Sequence, residues 1–292
     1  MGGGTASRPM VNSILMKYGF VLPYGDARTA ADFAEAAEQA GWDGFFVWEP
    51  IYGWDAWMLL TAAAMRTQRI RLGTMLTPLS RMRPWKLASE ALTLDHLSGG
   101  RATLAVGLGA VDTGFENFGE ATDRKTRAQL LDEGLQIVTS LWRGDPFTHA
   151  GTHYNINGRN LHYPPPPPVR DARIPIWVVA AWPFEASMNR ALAFDGMIPS
   201  AKGDDGNFRQ VTPDELATLR AWLATRRDMA SFDIIVEGTT STTDRDRAIA
   251  KVRPWSEAGA TWYLEARWGV QEGAITIESV RRRLEAGPPR LD

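Results

Sequence analysis

The chain has 292 residues, 44% of them hydrophobic, with a formal net charge of −2, 12 tryptophans, four histidines and no cysteine. The missing cysteine excludes disulfide scaffolds, thiolate nucleophiles and cysteine-ligated zinc or iron–sulfur centres. A charge so near zero argues against nucleic acid or an anionic membrane as the main partner, because both reward a strong basic excess.

Residues 1–13 (MGGGTASRPMVNS) carry Gly, Ser and Pro without an apolar core and read as a disordered tail. No signal-peptide pattern follows, and Ala6 stands where a myristoylation signal has Ser or Thr. No 18-residue apolar run exists, so the expectation is a cytoplasmic protein with no membrane partner.

Short apolar runs then alternate with helical patterns. Strands are predicted at 17–22, 43–48, 70–76, 102–108, 175–180, 195–199, 232–237 and 260–266. Their near-continuous apolar character suits parallel strands covered on both faces. Among the helices, Thr29 with Asp32 reads as a capping box, with Gly41 as the stop. Pro84 opens a second helix that Gly99 closes, and a stripe from Leu130 to Trp142 ends at Gly144. Thr212-Pro213-Asp214-Glu215 and Thr243 with Asp246 mark two further starts. Strand then helix, eight times over, predicts an α/β fold, a (β/α)8 TIM barrel, as one domain over 14–292. The rival is a doubly wound open sheet, which would normally place GxGxxG where this chain has LPYGDART.

Residues 145–174 interrupt the rhythm before the fifth strand. Asn157-Gly158 suggests a tight turn and Pro164 to Pro168 a stiff polyproline stretch, so this is an inserted hairpin and strap covering part of the barrel. His149 and His153 stand four apart, but Gly151 between them argues against a helical metal site, and no metal is expected.

Barrel chemistry gathers where strands end. Carboxylates stand at three ends, Glu49, Glu237 and Glu265, and are the candidate acid–base groups. The alternative is that each meets an arginine such as Arg267 or caps a helix. Tyr52, Trp54, Arg267 and Trp268 are candidate substrate contacts on the loops. Trp42, Trp142 and Trp222 read as packing, whereas Trp54, Trp182 and Trp268 are placed at the mouth.

The run Arg83-Pro84-Trp85-Lys86-Leu87-Ala88, followed by Thr93-Leu94-Asp95-His96-Leu97-Ser98-Gly99-Gly100-Arg101, resembles the bacterial luciferase-like family. Ile70 to Thr74, Val106 to Gly109, Leu141 to Gly144, Gly151 with Tyr154, and Pro175 to Val178 extend the likeness over about residues 16–270. The resemblance implies a flavin-dependent monooxygenase or a deazaflavin-dependent oxidoreductase acting on a small apolar substrate. FMN, reduced by a separate flavin reductase, would meet oxygen in the first case; coenzyme F-420 would exchange hydride in the second. It also implies a cofactor lying against a non-prolyl cis peptide in the third strand, at Met75–Leu76 here. Trp48, Thr74, Met75, Leu76, Gly107, Gly109, Ala180, Ala181 and Trp182 would form the cofactor site, and family members often dimerise through barrel helices, which makes a homodimer the expectation.

Three positions depart from the family pattern. Pro50 follows Glu49 where relatives carry His, Ala110 stands where some deazaflavin enzymes have an acid, and Trp182-Pro183 replaces small polar residues near the flavin phosphate. Two rivals stay open: a hydrolase or lyase that uses the carboxylates without any flavin, and a non-catalytic small-molecule binder.

Overall fold

The computed structural model describes residues 16–162, 164–171, 173–268 and 275–291, so the expected tail at 1–13 lies outside the described residues. Strands β1 (Lys17–Leu22), β2 (Gly44–Val47) and β3 (Arg71–Thr74) come first, then the two-residue β4 (Thr77–Pro78) and β5 (Ala102–Gly107). β6 (Phe147–Ala150) and β7 (Asn155–Gly158) form a separate antiparallel hairpin. β8 (Ile176–Trp182), β9 (Gly196–Lys202), β10 (Phe208–Gln210), β11 (Asp233–Gly238) and β12 (Trp262–Glu265) follow. The helices are α1 (Ala27–Gln39), α2 (Ala56–Arg66), α3 (Pro84–Ser98), α4 (Arg124–Arg143), α5 (Glu185–Leu192), α6 (Pro213–Ala224), α7 (Arg245–Glu257) and α8 (Ile277–Glu285).

Eight strands pair in parallel in the order β1, β2, β3, β5, β8, β9, β11, β12, and β12 returns to β1 with Trp262 opposite Lys17. This is the (β/α)8 barrel that the alternation predicts, with a helix after each strand. Among the described residues no helix is long and apolar enough to cross a membrane.

Period-two alternation along the strands divides the core. Phe46, Ala105, Trp177, Ile235, Trp262 and Leu264 point into the barrel, whereas Phe45, Val47, Leu104, Val106, Ile234 and Val236 pack outward beneath the helices. Phe46, Trp177 and Trp262 plug the interior with ring centroids 5.2–6.2 Å apart, each such ring stabilising the fold by roughly 2–3 kcal/mol. Phe46 fits because its neighbours lack side chains: a Cβ at Gly19 or Gly44 would fall 2.7 or 2.6 Å from its ring.

Half of the eight helix starts are set by aspartate, with two differences from expectation. α1 is capped by Asp26, whose carboxylate accepts from the Thr29 N–H at 2.8 Å, so Thr29 lies inside the helix rather than capping it. Asp244 likewise displaces Thr243 by one residue at α7, while the Thr212–Glu215 box at α6 is formed as expected.

The insertion lies on the barrel flank. Its turn falls at Gly151–Tyr154 and not at Asn157-Gly158, which sits within β7. The cause is Glu133 of α4, whose carboxylate accepts the backbone N–H groups of Thr152, His153 and Tyr154 and so stabilises the turn there. His149 also meets Glu133, at 3.3 Å, and His153 meets Gln129 instead of a metal partner. Among the described residues no cluster of His, Asp and Glu suits a metal ion. The polyproline strap is pinned to the end of α3: Asp95 accepts from the Val169 N–H at 2.7 Å, and His96 Nε2 lies 3.0 Å from the Pro167 carbonyl.

Candidate active site

A cavity of about 560 Å³ opens where the strands end, a size that suits a cofactor and small substrate together. Seven of the eight barrel strands contribute, through their C-terminal residues or the segment that follows. β2 delivers Trp48 and Glu49, β3 delivers Met75 and Leu76, and the loop after β5 delivers Leu108 to Ala110. Val179 and Ala181 of β8, Ile198 and Ser200 of β9, Ile235 and Glu237 of β11, and Trp268 beyond β12 complete the wall. The Met75–Leu76 peptide is cis, at the position that the family resemblance implies, and Trp182–Pro183 is a second cis bond.

Eight of the residues expected from the sequence meet in this cavity: Trp48, Glu49, Met75, Leu76, Gly109, Ala181, Glu237 and Trp268. Others do not reach it. Ala180 and Trp182 point outward from β8, and Trp182 packs its ring 5.6 Å from Trp222 of α6. Thr74 is buried behind the wall and Gly107 lies beneath it, where a Cβ would press on Val179 and Leu76 at 3.1 and 3.2 Å. Tyr52 and Trp54 line a separate hollow of about 150 Å³ with Tyr24 and Leu59, and Trp48 borders both spaces.

Glu265 also leaves the site. It shares the outward parity of Tyr263 and is fully buried among Thr240, Arg267 and Arg283. Its carboxylate accepts from Thr240 Oγ1 at 2.6 Å and pairs with Arg283 at 3.3 Å and Arg267 at 3.2 Å. Arg283 belongs to α8, so the network ties the last helix to the barrel, and Arg267 is engaged there, outside the lining of the cavity.

Glu49 is 8% exposed, accepts a hydrogen bond from Thr77 Oγ1 and lies in the field of Arg81. Burial outweighs both and pushes its carboxyl up to about 7, helped by the negative charges of Glu90 and Asp55. Glu237 is also shifted upward by burial, opposed only by the Trp268 Nε1–H that donates to it at 2.6 Å. A carboxyl poised near neutrality beside an apolar wall is suited to giving and taking protons.

Sequence reasoning missed the positive rim of the cavity. Arg124 opens α4, Arg190 lies on α5 and Arg209 on β10, so no strand-end reading reaches them. Arg190 is paired with Asp132 at 2.5 and 2.9 Å, and Arg209 with Glu215 at 2.8 Å. Arg124 has no ion-pair partner among the described residues and stacks 4.3 Å from the Phe208 ring. Beside them, Ser187 Oγ accepts from the Ala181 N–H at 2.9 Å, which leaves its own hydroxyl proton to donate elsewhere. The cavity thus has flat apolar walls, a carboxyl near neutrality and an anion-receptive edge.

Residues 12–287 match the luciferase-like monooxygenases. The chain belongs to that family. It is an oxidoreductase of the luciferase-like class, 31% identical over 81% of its length to the coenzyme F-420-dependent glucose-6-phosphate dehydrogenase of Beutenbergia cavernae, 70% of which is covered. Its counterpart in Rhodococcus erythropolis is 30% identical over 88% of this chain and 79% of its own length. The barrel superposes on a coenzyme F-420-dependent tetrahydromethanopterin reductase from Methanopyrus kandleri with a TM-score of 0.71, at 16% identity over 94% of this chain and 98% of that one. An FMN-bound 3,6-diketocamphane monooxygenase from Pseudomonas putida gives 0.66, at 17% identity over 95% and 99%. At such identities the two structures speak for the luciferase-like barrel alone.

Proposed function

We propose that this luciferase-like protein moves hydride between a deazaflavin of the coenzyme F-420 type and a small, largely apolar organic substrate, with Glu49 managing the proton. The observation that carries this reading is Glu49 itself, a buried carboxyl near neutrality in the same wall as Met75 and Leu76. Both curated relatives described above are named for coenzyme F-420, which favours the deazaflavin over FMN.

The residues fit such a group. Trp48, Met75, Leu76 and Val179 offer flat apolar surface to a ring system, and Arg124, Arg190, Arg209 and Ser187 suit an acidic tail. When bound, the deazaflavin supplies or accepts the hydride. Glu49 in its neutral form gives a proton to a substrate oxygen or nitrogen as reduction proceeds and recovers it in reverse. Thr77 fixes the direction of that carboxyl, and the Arg81 charge keeps its affinity for protons from rising further. Trp48 and Trp268 keep water from the reacting atoms. Because Pro50 supplies no ring nitrogen, this duty falls to Glu49.

A homodimer is part of the reading, supported by the apolar stripe of Met58 and Met65 left exposed on α2. The test is titration of the purified protein with coenzyme F-420 and with FMN, followed by the cofactor fluorescence. Saturable quenching of the deazaflavin alone, with turnover lost and binding kept in Glu49→Gln, is the expected result. Absence of deazaflavin binding would overturn the proposal.

A further inference from the structure

We propose that Glu237 and Trp268 form a subsite for an organic cation, so that the substrate carries a protonated amine beside its apolar body. The inference rests on the reading above, in which the arginine edge of the cavity takes the cofactor.

The argument is one of unmatched charge. Glu237 is the next-to-last residue of β11 with the inward parity of Ile235, and among the described residues its carboxylate has a single polar partner, Trp268 Nε1 at 2.6 Å. No lysine, arginine or histidine pairs with it among the described residues. Elsewhere in the cavity each charge has an opposite one among the described residues: Arg190 has Asp132, Arg209 has Glu215, and Glu49 lies in the field of Arg81. Among the described residues two charged groups remain over, Arg124 where α4 begins and Glu237 on the β11 wall. The cavity is therefore bipolar, and an occupant that satisfies it has an anionic end and a cationic end.

The anionic end belongs to the cofactor tail at Arg124, which leaves Glu237 facing the substrate. A carboxylate in an apolar wall is costly without a counter-charge, and an ammonium group supplies one. Trp48 and Trp268 border the same space, and indole faces attract organic cations. A neutral hydroxyl would satisfy a lone pair of Glu237 without offsetting its charge, so cation and neutral isostere are expected to be told apart.

The experiment uses the protein without added cofactor and three probes of one shape: phenylethylamine, its trimethylammonium analogue and neutral phenylethyl alcohol. Binding is read by calorimetry and by tryptophan fluorescence. Both cations are expected to bind at least about tenfold more tightly than the alcohol. Glu237→Gln should bring that ratio to about one. Equal affinities in the parent protein, or a preference that survives Glu237→Gln, would overturn the assignment. If Glu237→Gln fails to fold, Glu237→Asp withdraws the carboxylate by one methylene; the preference should fall several-fold, and an unchanged preference overturns the idea. A parallel coenzyme F-420 titration separates the two claims. Cation preference without cofactor binding keeps this subsite and removes the proposed hydride chemistry; cofactor binding without cation preference does the reverse.

Discussion

Thr77 Oγ1 touches both the carboxylate of Glu49 and the hydroxyl of Thr74, 2.9 Å away, and its single proton cannot serve the two at once. When Glu49 is ionised that proton goes to the carboxylate. When Glu49 is neutral its own O–H can turn to Thr77, which releases the Thr77 proton to Thr74 and the Thr74 proton to the Ala105 carbonyl at 3.4 Å. The neutral acid thus has a complete set of partners, and both protonation states are accommodated by rotating hydroxyls.

Replacing Thr77 with Val removes the donor that favours the ionised form. In the direction of substrate reduction, where Glu49 must be protonated, the rate is expected to fall as pH rises past about 7. In Thr77→Val this fall should move to higher pH and turnover should drop about tenfold, the worth of one lost hydrogen bond to a charged group. Thr77→Ser should keep the original profile. Rate profiles of the three proteins decide it, and a coincident alkaline limb in Thr77→Val would count against the pairing.

The same carboxyl sets a pH dependence of stability. Its folded-state value of about 7 lies above the ordinary 4.5, so between those values the native state holds the extra proton. Stability contributed by that proton is full below the unfolded value and is lost as pH rises through the folded one. Glu49→Gln removes the loss. The variant should melt with the parent near pH 4.5 and about 5 °C above it at pH 8, corresponding to about 2–3 kcal/mol. Calorimetric melts at the two pH values test this, and an equal offset at both would sink it.

Glu265 and Glu237 look alike in sequence, each a carboxylate at a strand end, yet they face opposite sides of the barrel wall. Glu265→Ala strands Arg283, which is 1% exposed, and is expected to cost about 3–5 kcal/mol of stability. Turnover per folded molecule should not change. Urea unfolding combined with kinetics at low temperature checks both parts, and a kinetic defect without a stability loss would return Glu265 to the active site.

The barrel was legible because eight apolar runs and their helix stops repeat, and because the motif from Arg83 to Arg101 is specific. Part of the site was equally legible but calls for parity. Ile235 faces inward, so Glu237 does too; Tyr263 faces outward, so Glu265 does too. The same count separates Ala181 from Ala180 and Trp182. Asp26 and Glu133 were harder to foresee, since each acts by accepting backbone N–H groups that only the folded chain presents. Arg124, Arg190 and Arg209 were out of reach for a different reason: they converge from two helices and a short antiparallel strand.

Among the described residues Arg124 is the cation of that edge without an anionic partner, and the partial burial of its guanidinium together with the nearby Arg190 charge makes it easier to deprotonate than usual. An anionic cofactor tail relieves that repulsion. Arg124→Ala should weaken coenzyme F-420 binding about 10–100-fold, the range of one or two charge-assisted hydrogen bonds. Because Arg124 is exposed at the rim, the melting temperature without cofactor should stay unchanged. Fluorescence titration decides it, and wild-type affinity in the variant would place the tail elsewhere.

Met58 and Met65 lie two turns apart on one face of α2, and each is more than half exposed, at 60% and 66%. Ala62 stands between them at helical spacing, and Trp85 and Leu97 are exposed on the adjacent α3. Apolar side chains scattered singly are ordinary, but a stripe on neighbouring helices suits a helix–helix contact between two copies of the chain. A twofold axis through this face would lay α2 and α3 of one protomer against those of the other and leave both cavities open. Sedimentation equilibrium of the parent should give a dimer, and the double variant Met58→Lys with Met65→Lys should give a monomer that still binds the cofactor. A parent protein that is monomeric at every concentration would remove this face from consideration, and a double variant that remains dimeric would move the contact to other helices.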